Sequence, residues 1–244
     1  MPRFFVKRED IYDGSARICG DDAFHIARSL RMAEGDEITL CDGEGKELLC
    51  SLERIRDEEC ICRIIEVREC ETESPVSITL CMAYPKGDKL ETVIQKAVEL
   101  GATKIIPYES SRCIKRPKAE KQEKQTARLE RIAEEAAKQC GRGRLPTVTP
   151  PMTFEQMLKE ASSSALSFIC YEDEDKLCIK NELEKSERPE SISVIVGSEG
   201  GFSPEEVERA KSYGIKSVTL GKRILRCETA PSFALSAISY RFEL

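Results

Sequence analysis

The stretch ISVIVGSEGGFSPEEVERAK, residues 192–211, runs from a continuous apolar segment through three glycines into a helical pattern. A continuous apolar run that ends at turn residues is typical of a strand buried on both faces of a parallel sheet. Ser203 is suited to cap the helix that follows, with Pro204 at its first position and Glu206 at its third. The stretch therefore predicts a buried parallel strand that passes directly into a helix.

Gly197, Gly200 and Gly201 lie at the carboxyl end of that strand, where ligands bind in parallel sheets. Backbone without side chains lets a ligand approach closely, although a tight structural turn would use the same residues. A phosphate at this helix start would meet several glutamates, Glu199 among them, and no lysine follows the glycines as a P-loop requires. The loop therefore favours a neutral or positively charged ligand over ATP or a dinucleotide.

A second turn repeats this arrangement in TLGKRILRCETAPSFALSA, residues 219–237, where a strand end leads through a polar crossing into a helix of small residues. Arg223, Arg226, Glu228 and Thr229 lie together in the crossing. Charged residues clustered at the end of a strand indicate a site more often than a core. The two turns together strengthen the interpretation that a ligand binds at this edge of the sheet.

The rest of the chain divides into two regions. Residues 1–70 contain short strand patterns, a hairpin signal at 42–45 and a short helix near 21–32, which predict a small β-barrel-like domain. The polar segment 69–75 is the predicted linker. From 75 to 244 strand patterns alternate with helical patterns, which predicts an α/β domain with helices on both faces of a parallel sheet.

One helix of the second region is defined in detail by its pattern. It spans 88–101, with Asp88 and Glu91 as a predicted capping pair and Gly101 at its end. Its apolar face consists of Leu90, Val93, Ile94, Ala97 and Val98. This spacing predicts an amphipathic helix that packs on the sheet.

The composition excludes several classes of protein. The chain has 244 residues, 40% of them hydrophobic, and no apolar stretch approaches the roughly 18 residues of a membrane helix. The N-terminus lacks the apolar region of a signal peptide, so we expect a cytoplasmic protein. Twelve cysteines include no CxxC pair, and there is one histidine. We therefore expect reduced thiols in apolar surroundings and no metal site.

Charge is distributed unevenly along the chain. The formal net charge is −6, but residues 112–144 carry eleven Lys or Arg against five Glu. A basic stretch in an acidic protein is typical of a surface that attracts nucleic-acid phosphates. A solvated helix face with internal ion pairs would have the same composition. Charge alone leaves both interpretations open.

Several motifs carry a resemblance to a known family. They are PRFFV (2–6), KGDKLETVIQKAVELGATKIIP (86–107), EEAAKQCGRGRLPTV (134–148), GSEGGFSPEE (197–206) and LGKRILRCETAP (220–231). Together they resemble the bacterial 16S ribosomal RNA uridine N3-methyltransferases of the SPOUT superfamily, over essentially the full chain. Ser198 stands where the family commonly has Pro, and Cys227 where Thr is common.

The resemblance implies an architecture, a cofactor and an assembly. Residues 1–70 would form a PUA-like β-barrel that binds RNA, and 75–244 a SPOUT α/β methyltransferase domain with a C-terminal trefoil knot. The knotted loops would bind S-adenosylmethionine, whose cationic sulfonium and uncharged adenine suit acidic loops and bare glycine backbone. The protein would form a homodimer through the knot region. The expected cofactor-binding residues are Gly197, Glu199, Gly200, Gly201, Leu220, Gly221, Ile224, Leu225, Thr229 and Ala230.

Methyl transfer to uracil N3 requires removal of a proton and stabilisation of the charge that spreads over O2 and O4. Arg226 is the first candidate for this stabilisation, and Arg142 is the second. The proton acceptor would be Glu228 or Glu199, although both could instead orient arginines or the cofactor. The alternative function is a non-catalytic RNA-binding or ribosome-assembly factor that keeps the fold.

Two groups of residues are candidates for RNA contacts. Within the N-terminal region, Arg3, Phe4, His25 and Arg31 resemble the family's RNA-contacting set, although Phe4 could equally belong to the core of the barrel. His25 is the only histidine, and a structural or RNA-facing role is favoured over one as a general base. In the basic stretch the candidates for phosphate contacts are Lys115, Lys118, Lys121 and Arg144.

Overall fold

The computed structural model describes residues 1–114 and 119–244. They form two compact units, the first from Met1–Glu73 with Ala137–Leu145 and the second from Ser74–Ala136 with Pro146–Leu244. The division after Glu73 falls within the predicted linker. The inclusion of Ala137–Leu145 in the first unit was not predicted, because a local pattern does not report which distant segment a residue packs against.

The first unit is built on a six-stranded sheet in the order β1-β4-β5-β6-β3-β2. The strands are β1 (Arg3–Phe5), β2 (Ile11–Tyr12), β3 (Ser15–Cys19), β4 (Glu37–Cys41), β5 (Lys46–Ile55) and β6 (Glu59–Glu69). Only the β1–β4 pair is parallel; the other pairs in this sheet are antiparallel. The hairpin predicted at 42–45 is confirmed, since β4 and β5 pair directly across it. Helix α1 (Asp21–Phe24) continues as a π-helical turn, His25–Ser29.

Alternate residues of these strands form the core of the first unit. Ile38 and Leu40 of β4 are fully buried, and so are Cys60 and Cys62 of β6. All twelve cysteines are free thiols. Burial raises the pKa of Cys62 to about 12, which keeps this thiol protonated and apolar at neutral pH.

The second unit contains a sheet in which all pairs are parallel, in the order β10-β8-β7-β12-β11-β13, with β9 also paired to β8. Its strands are β7 (Ser77–Ala83), β8 (Ala102–Glu109), β9 (Thr147–Val148), β10 (Met152–Thr153), β11 (Leu166–Cys170), β12 (Ser191–Val196) and β13 (Lys216–Val218). Strand β12 lies between β7 and β11, and five of its six residues are buried. This position explains its continuous apolar run.

Helices alternate with these strands, as predicted. They are α2 (Lys89–Glu99), α3 (Gln122–Cys140), α4 (Phe154–Ala161), α5 (Ile179–Glu184), α6 (Pro204–Ser212) and α7 (Thr229–Phe242). Helix α4 packs against β7, β8 and β12, whereas α7 contacts β12 and both α2 and α5. Short α5, β9 and β10 were not predicted. Among the described residues, no helix combines the length and apolar character needed to cross a membrane.

The detailed prediction for α2 is confirmed in its packing and wrong in its capping. All five residues of the predicted apolar face are buried. Gly101 follows the helix at φ +86°, a conformation that favours glycine. Asp88 occupies the N-cap position, but its side chain makes no capping hydrogen bond. Its backbone explains the difference, because φ −101° and ψ 12° depart from the extended geometry of a side-chain cap.

Candidate active site

A cavity of about 370 Å³ lies at the carboxyl edge of the parallel sheet. Residues directly after β11, β12 and β13 line it, together with the crossing that leads to α7. The lining residues are Lys89, Cys170, Tyr171, Glu172, Val196, Gly197, Ser198, Glu199, Gly201, Phe202, Thr219, Leu220, Gly221, Lys222, Arg223, Ile224, Leu225, Arg226, Cys227, Glu228 and Ala230. The volume and the position are those of a small-molecule site in an open α/β sheet.

The glycine loop forms one wall of the cavity by folding tightly on itself. The N–H of Gly201 donates a hydrogen bond to the Ser198 carbonyl oxygen at 3.0 Å. A Cβ atom at Gly197 would lie 3.1 Å from the backbone carbon of Gly201. Gly201 adopts φ +62°, and a Cβ there would collide with the carboxylate of Glu172. Both positions therefore require glycine.

Gly200 has a different environment. A Cβ at this position would lie 3.0 Å from the Cβ of Arg112, and the Gly200 carbonyl oxygen accepts a hydrogen bond from Arg112 Nη1 at 2.9 Å. Gly200 does not line the cavity. Its small size serves the packing of Arg112 against the loop.

The start of α6 uses its backbone donors within the protein. Ser203 Oγ accepts the Glu206 N–H at 3.3 Å, and Glu206 Oε2 accepts the Ser203 N–H at 3.0 Å, which is the predicted capping box. The other carboxylate oxygen of Glu206 accepts the Ser111 N–H at 2.7 Å. These bonds place a carboxylate where a phosphate would bind, in agreement with the predicted unsuitability of the loop for ATP.

Lys89 connects two carboxylates of the cavity lining. Its Nζ lies 3.1 Å from Glu199 Oε1 and 3.2 Å from Glu228 Oε2. Hydrogen bonds to these two carboxylates raise the pKa of Lys89. Glu199 also accepts the backbone N–H of Lys86 at 3.1 Å, and Glu228 accepts the Cys227 thiol at 3.1 Å. We call Lys89, Glu199 and Glu228 the charged trio.

Both carboxylates of the charged trio are held in the ionised form. Burial opposes ionisation of Glu199, but hydrogen bonds from backbone N–H groups and from Lys89 outweigh it and lower its pKa. The hydrogen bond from the Cys227 thiol contributes most to the lowered pKa of Glu228. A hydrogen bond from the Glu228 backbone and the interaction with Lys89 lower this pKa further, and burial opposes them. Burial raises the pKa of Cys227 to about 12, so this thiol acts as a donor. Anionic groups in a partly enclosed cavity suit a cationic ligand.

Most of the predicted cofactor-binding residues line the cavity. Gly197, Glu199, Gly201, Leu220, Gly221, Ile224, Leu225 and Ala230 do so. Gly200 and Thr229 do not; the Thr229 N–H instead donates to the Arg226 carbonyl oxygen at 2.8 Å, at the start of α7. Among the predicted catalytic residues, Arg226 and Glu228 line the cavity, and Arg226 is exposed.

Lys89, Tyr171 and Glu172 line the cavity but were not among the predicted site residues. Tyr171 and Glu172 directly follow β11, and Lys89 begins the helix that follows β7. The rule that ligands bind beyond the carboxyl ends of parallel strands would have found all three. The resemblance drew attention to the two C-terminal motifs instead.

Arg142, the second catalytic candidate, belongs to the first unit and is only 3% exposed. Its Nη2 donates to Glu73 Oε2 at 2.8 Å. Glu73 Oε1 accepts the N–H groups of Gly143 and Arg144, both at 2.9 Å. Burial opposes ionisation of Glu73, but the bonds from Arg142 and from the two N–H groups outweigh it and lower its pKa. Arg142 therefore anchors the segment 141–144, and its guanidinium is not presented to solvent.

The N-terminal RNA candidates differ in accessibility. Arg3 is mostly buried and pairs with Glu47, with 2.7 Å between Nη1 and Oε1. Phe4 lies in the core at 3% exposure and cannot stack on a base, so its core role is the one that the structure supports. The ring of His25 packs edge-on against Phe4, with centroids 6.3 Å apart, while the residue remains exposed. Arg31 is exposed at φ +52°.

The candidates of the basic stretch are exposed where they are described. Lys121 is exposed and lines a second cavity, of about 450 Å³, together with Lys124 and Arg128 of α3. Arg144 is exposed, and its Nε donates to the Glu44 carbonyl oxygen at 3.1 Å. Lys115 and Lys118 lie outside the described residues. Within 1–114 and 119–244, no cluster of three or more His, Cys, Asp or Glu could hold a metal ion.

Both units match family models of known proteins. Residues 72–239 match an RNA methyltransferase domain, and residues 18–65 match an RNA methyltransferase PUA domain. A "Ribosomal RNA small subunit methyltransferase E" of Bacillus subtilis is 35% identical, covering 100% of this chain and 98% of the relative. A protein of the same name from Synechocystis is 33% identical, covering 99% of this chain and 78% of the relative.

Solved structures with the same architecture include two that are described as bound to a cofactor. A putative methyltransferase of Legionella pneumophila "in complex with the bound cofactor SAM" has a TM-score of 0.87 and 32% identity, covering 98% of this chain and 96% of that one. A ribosomal RNA small subunit methyltransferase E of Neisseria gonorrhoeae "bound to S-adenosyl methionine" has a TM-score of 0.85 and 32% identity. This match covers 98% of the present chain and 97% of the Neisseria chain.

Proposed function

The chain belongs to the RNA methyltransferase family in which a PUA domain accompanies the methyltransferase domain, and from this premise we propose its reaction. The protein transfers a methyl group from S-adenosylmethionine to N3 of a specific uridine in 16S ribosomal RNA. The observation that carries the proposal is the cavity at the carboxyl edge of the sheet, with its glycine wall and charged trio. The uridine and its N3 position rest on the sequence motifs that resemble the uridine N3-methyltransferases.

The cavity residues fit S-adenosylmethionine. Gly197 and Gly201 line the cavity, where their backbone can contact an uncharged adenosine. The two carboxylates of the charged trio suit a sulfonium or an ammonium group. Leu220, Ile224 and Leu225 add apolar lining. The structures from Legionella and Neisseria, which are described as bound to S-adenosylmethionine, support the same assignment.

The reaction is an in-line displacement in which the bond from uracil N3 to the methyl carbon forms as the carbon–sulfur bond breaks. S-adenosylmethionine supplies the methyl group and leaves as S-adenosylhomocysteine, and the N3 proton passes to solvent water at the exposed side of the cavity. Arg226 lines the cavity from an exposed position, where an incoming base can meet its guanidinium. It would stabilise the negative charge on O2 and O4 and so make the N3 proton more acidic.

Neither Glu199 nor Glu228 is favoured as the proton acceptor. Both carboxylates are hydrogen-bonded to Lys89, and the pKa of each is lowered, which makes them weak bases. We assign them to cofactor binding instead. Arg142 is assigned a structural role, because Glu73 holds its buried guanidinium.

RNA binding is proposed for exposed cations of both units. In the first unit these are Arg31 and Arg144, with His25 as a neighbouring polar contact. In the second unit they are Lys121 and Lys124 near the start of α3. These side chains suit phosphate contacts, which position an RNA without reading its sequence. Because the proposed substrate is ribosomal RNA, we propose action in the cytoplasm.

The assembly and the knot are further parts of the proposal. Phe233 and Tyr240 are 41% and 76% exposed and lie seven residues apart on α7, which puts them on one face of the helix. Two large exposed aromatic groups on one face favour a protein contact, and we propose a homodimer through this helix. The C-terminal trefoil knot rests on the family resemblance.

A methylation assay tests the proposed function. Purified small ribosomal subunits that lack this modification, and the 16S RNA extracted from them, would be incubated with tritiated S-adenosylmethionine, with large subunits as the control. We expect tritium only in 16S RNA, and N3-methyluridine after digestion to nucleosides. RNA binding without any methyl transfer would instead support the non-catalytic assembly factor. Methylation at another atom of the base would contradict the N3 assignment.

A further inference from the structure

Lys89 has an unusual position within the cavity lining. It is the first residue of α2, and its ammonium group reaches across to the glycine loop and to the crossing before α7. The side chains of Lys89, Glu199 and Glu228 are 35%, 29% and 28% exposed, so water does not fully surround the trio. Two carboxylates and one ammonium carry a net charge of −1.

The lining contains four further charged residues, one acidic and three basic. Glu172, Lys222, Arg223 and Arg226 are all exposed. Exposed charges are screened within a Debye length of about 8 Å at physiological salt, whereas partly buried charges are screened less. Lys89 Nζ lies only 3.1 and 3.2 Å from the carboxylates of Glu199 and Glu228, so a change of charge at Lys89 acts directly on both.

The proposed methyl donor and its product differ in charge at one atom. The donor carries a positive sulfonium, and the product, S-adenosylhomocysteine, carries a neutral thioether; their adenosine, ammonium and carboxylate groups are the same. A net negative charge next to the sulfur would favour the donor, and the charged trio sums to −1. The size of that preference depends on how much of the carboxylate charge is balanced by a neighbouring cation.

We infer that Lys89 is a specificity-determining residue that sets how strongly the cavity prefers the cationic methyl donor over its uncharged product. The inference rests on the proposed function. By balancing one of the two carboxylates, Lys89 leaves a single negative charge for a single sulfonium. Lys89 also fixes the positions of both carboxylates, which strengthens binding of the donor and of the product equally. The ratio of the two dissociation constants isolates the charge effect from this common contribution.

The test compares binding of S-adenosylmethionine and S-adenosylhomocysteine by calorimetry at mildly alkaline pH and low salt. Lys89→Met leaves two unbalanced carboxylates, so the preference for the donor should rise roughly three- to tenfold. Glu199→Gln and Glu228→Gln should each lower the preference by a similar factor. Lys89→Arg keeps the charge and should keep the ratio. Higher salt should shrink each of these differences.

Lys96→Met is the matched control, since Lys96 lies on the same helix and pairs with Glu99 outside the cavity. The ratio of its dissociation constants for the donor and the product should equal that of the wild type. An unchanged ratio in Lys89→Met, with both ligands still bound, would overturn the inference and leave the proposed function standing. If Lys89→Met does not fold, Lys89→Gln, which removes the charge but keeps a polar side chain, replaces it in the comparison. A wild-type protein that binds neither ligand would overturn both proposals.

Discussion

Single residues of the glycine loop have separate physical roles. Gly197 is required because the backbone of Gly201 lies 3.1 Å from the position of its missing Cβ. Gly201 is required by its positive φ and by the nearby carboxylate of Glu172. Gly200 has no positive φ, and its constraint is a side chain, since a Cβ there would lie 3.0 Å from the Cβ of Arg112. A motif that appears uniform in sequence therefore contains one backbone contact, one strained conformation and one packing position.

We expect Gly201→Ala to weaken binding of S-adenosylmethionine by roughly tenfold or more. The substitution places a side chain at φ +62°, which costs about 1–2 kcal/mol, and displaces Glu172 from the cavity wall. The control is Gly214→Ala, because Gly214 adopts φ +78° with nothing within 4 Å of the added Cβ. Both variants should lower Tm, and calorimetry should find weaker cofactor binding only for Gly201→Ala. Equal affinity in the two variants would show that the loop is only a turn.

The role proposed for Arg226 predicts a loss of turnover and not of cofactor affinity. Arg226→Ala should lower kcat on the order of a hundredfold, because its proposed partner is charge that develops on the uracil. Its dissociation constant for S-adenosylmethionine should change little. Arg223→Ala, in the same crossing and equally exposed, is the comparison and should retain most of the activity. A full-rate Arg226→Ala enzyme would contradict the assignment.

At the scale of elements, one carboxylate ties a distant segment into the first unit. Ala137–Leu145 includes the end of α3 and the GRGR sequence, yet it belongs with Met1–Glu73. Glu73 binds the guanidinium of Arg142 and two backbone N–H groups of this segment. A buried charged group that loses its hydrogen-bond partner destabilises the folded state strongly.

Glu73→Gln should therefore destabilise the protein by about 2–4 kcal/mol at neutral pH, measured by urea unfolding. The control is Glu53→Gln, since the Glu53–Arg63 pair is exposed and its two charges are 3.4 Å apart. The lowered pKa of Glu73 adds a pH dependence. Its contribution to stability is present above its unfolded-state pKa and is lost as the pH falls through its folded-state pKa. The glutamine variant should lack this acid-dependent loss; a variant as stable as wild type would contradict the anchoring role.

The start of α3 supports a prediction about RNA. Lys121 and Lys124 are exposed, and the double change to Gln should raise the Michaelis constant for RNA with little change in kcat at saturating RNA. Each lost phosphate contact should flatten the log–log salt dependence of binding by roughly 0.7 to 0.9. Lys180→Gln on α5 is the exposed control. An unchanged salt slope would mean that this part of α3 is only a solvated helix face.

At the scale of the whole molecule, two units of different architecture are encoded in one chain. The first contains a mainly antiparallel sheet and the second an all-parallel sheet, each with a core of its own. The proposed function needs both, one to bind RNA and one to bind the methyl donor. It also implies a surface through which two copies associate.

The proposed dimer predicts that a charge on the exposed face of α7 will separate the protomers. Phe233→Glu combined with Tyr240→Glu should convert the dimer to a monomer in analytical ultracentrifugation, since burying two unpaired charges is strongly unfavourable. Tyr12→Glu, at an exposed aromatic residue of the first unit, is the matched control and should remain dimeric. A wild-type protein that sediments as a monomer at all concentrations would contradict the proposal.

Local features of the protein follow from the sequence by itself. The apolar run that ends at Gly197 predicts β12, the capping box predicts the start of α6, and the spacing in 88–101 predicts the buried face of α2. The glutamates around the glycine loop are enough to argue against a phosphate ligand. These features are readable because short-range periodicity and turn chemistry depend on neighbouring residues only.

Contacts between distant residues were decided by the tertiary structure alone. Strands β7 and β12 are neighbours in the sheet but far apart in the chain, and their pairing helps to bring Lys89 close to Glu199 and Glu228. The same level of structure buries Phe4 and commits Arg142 to Glu73. Local patterns report which face of an element is buried but not its partner, because strand order and long-range packing are set by the fold as a whole.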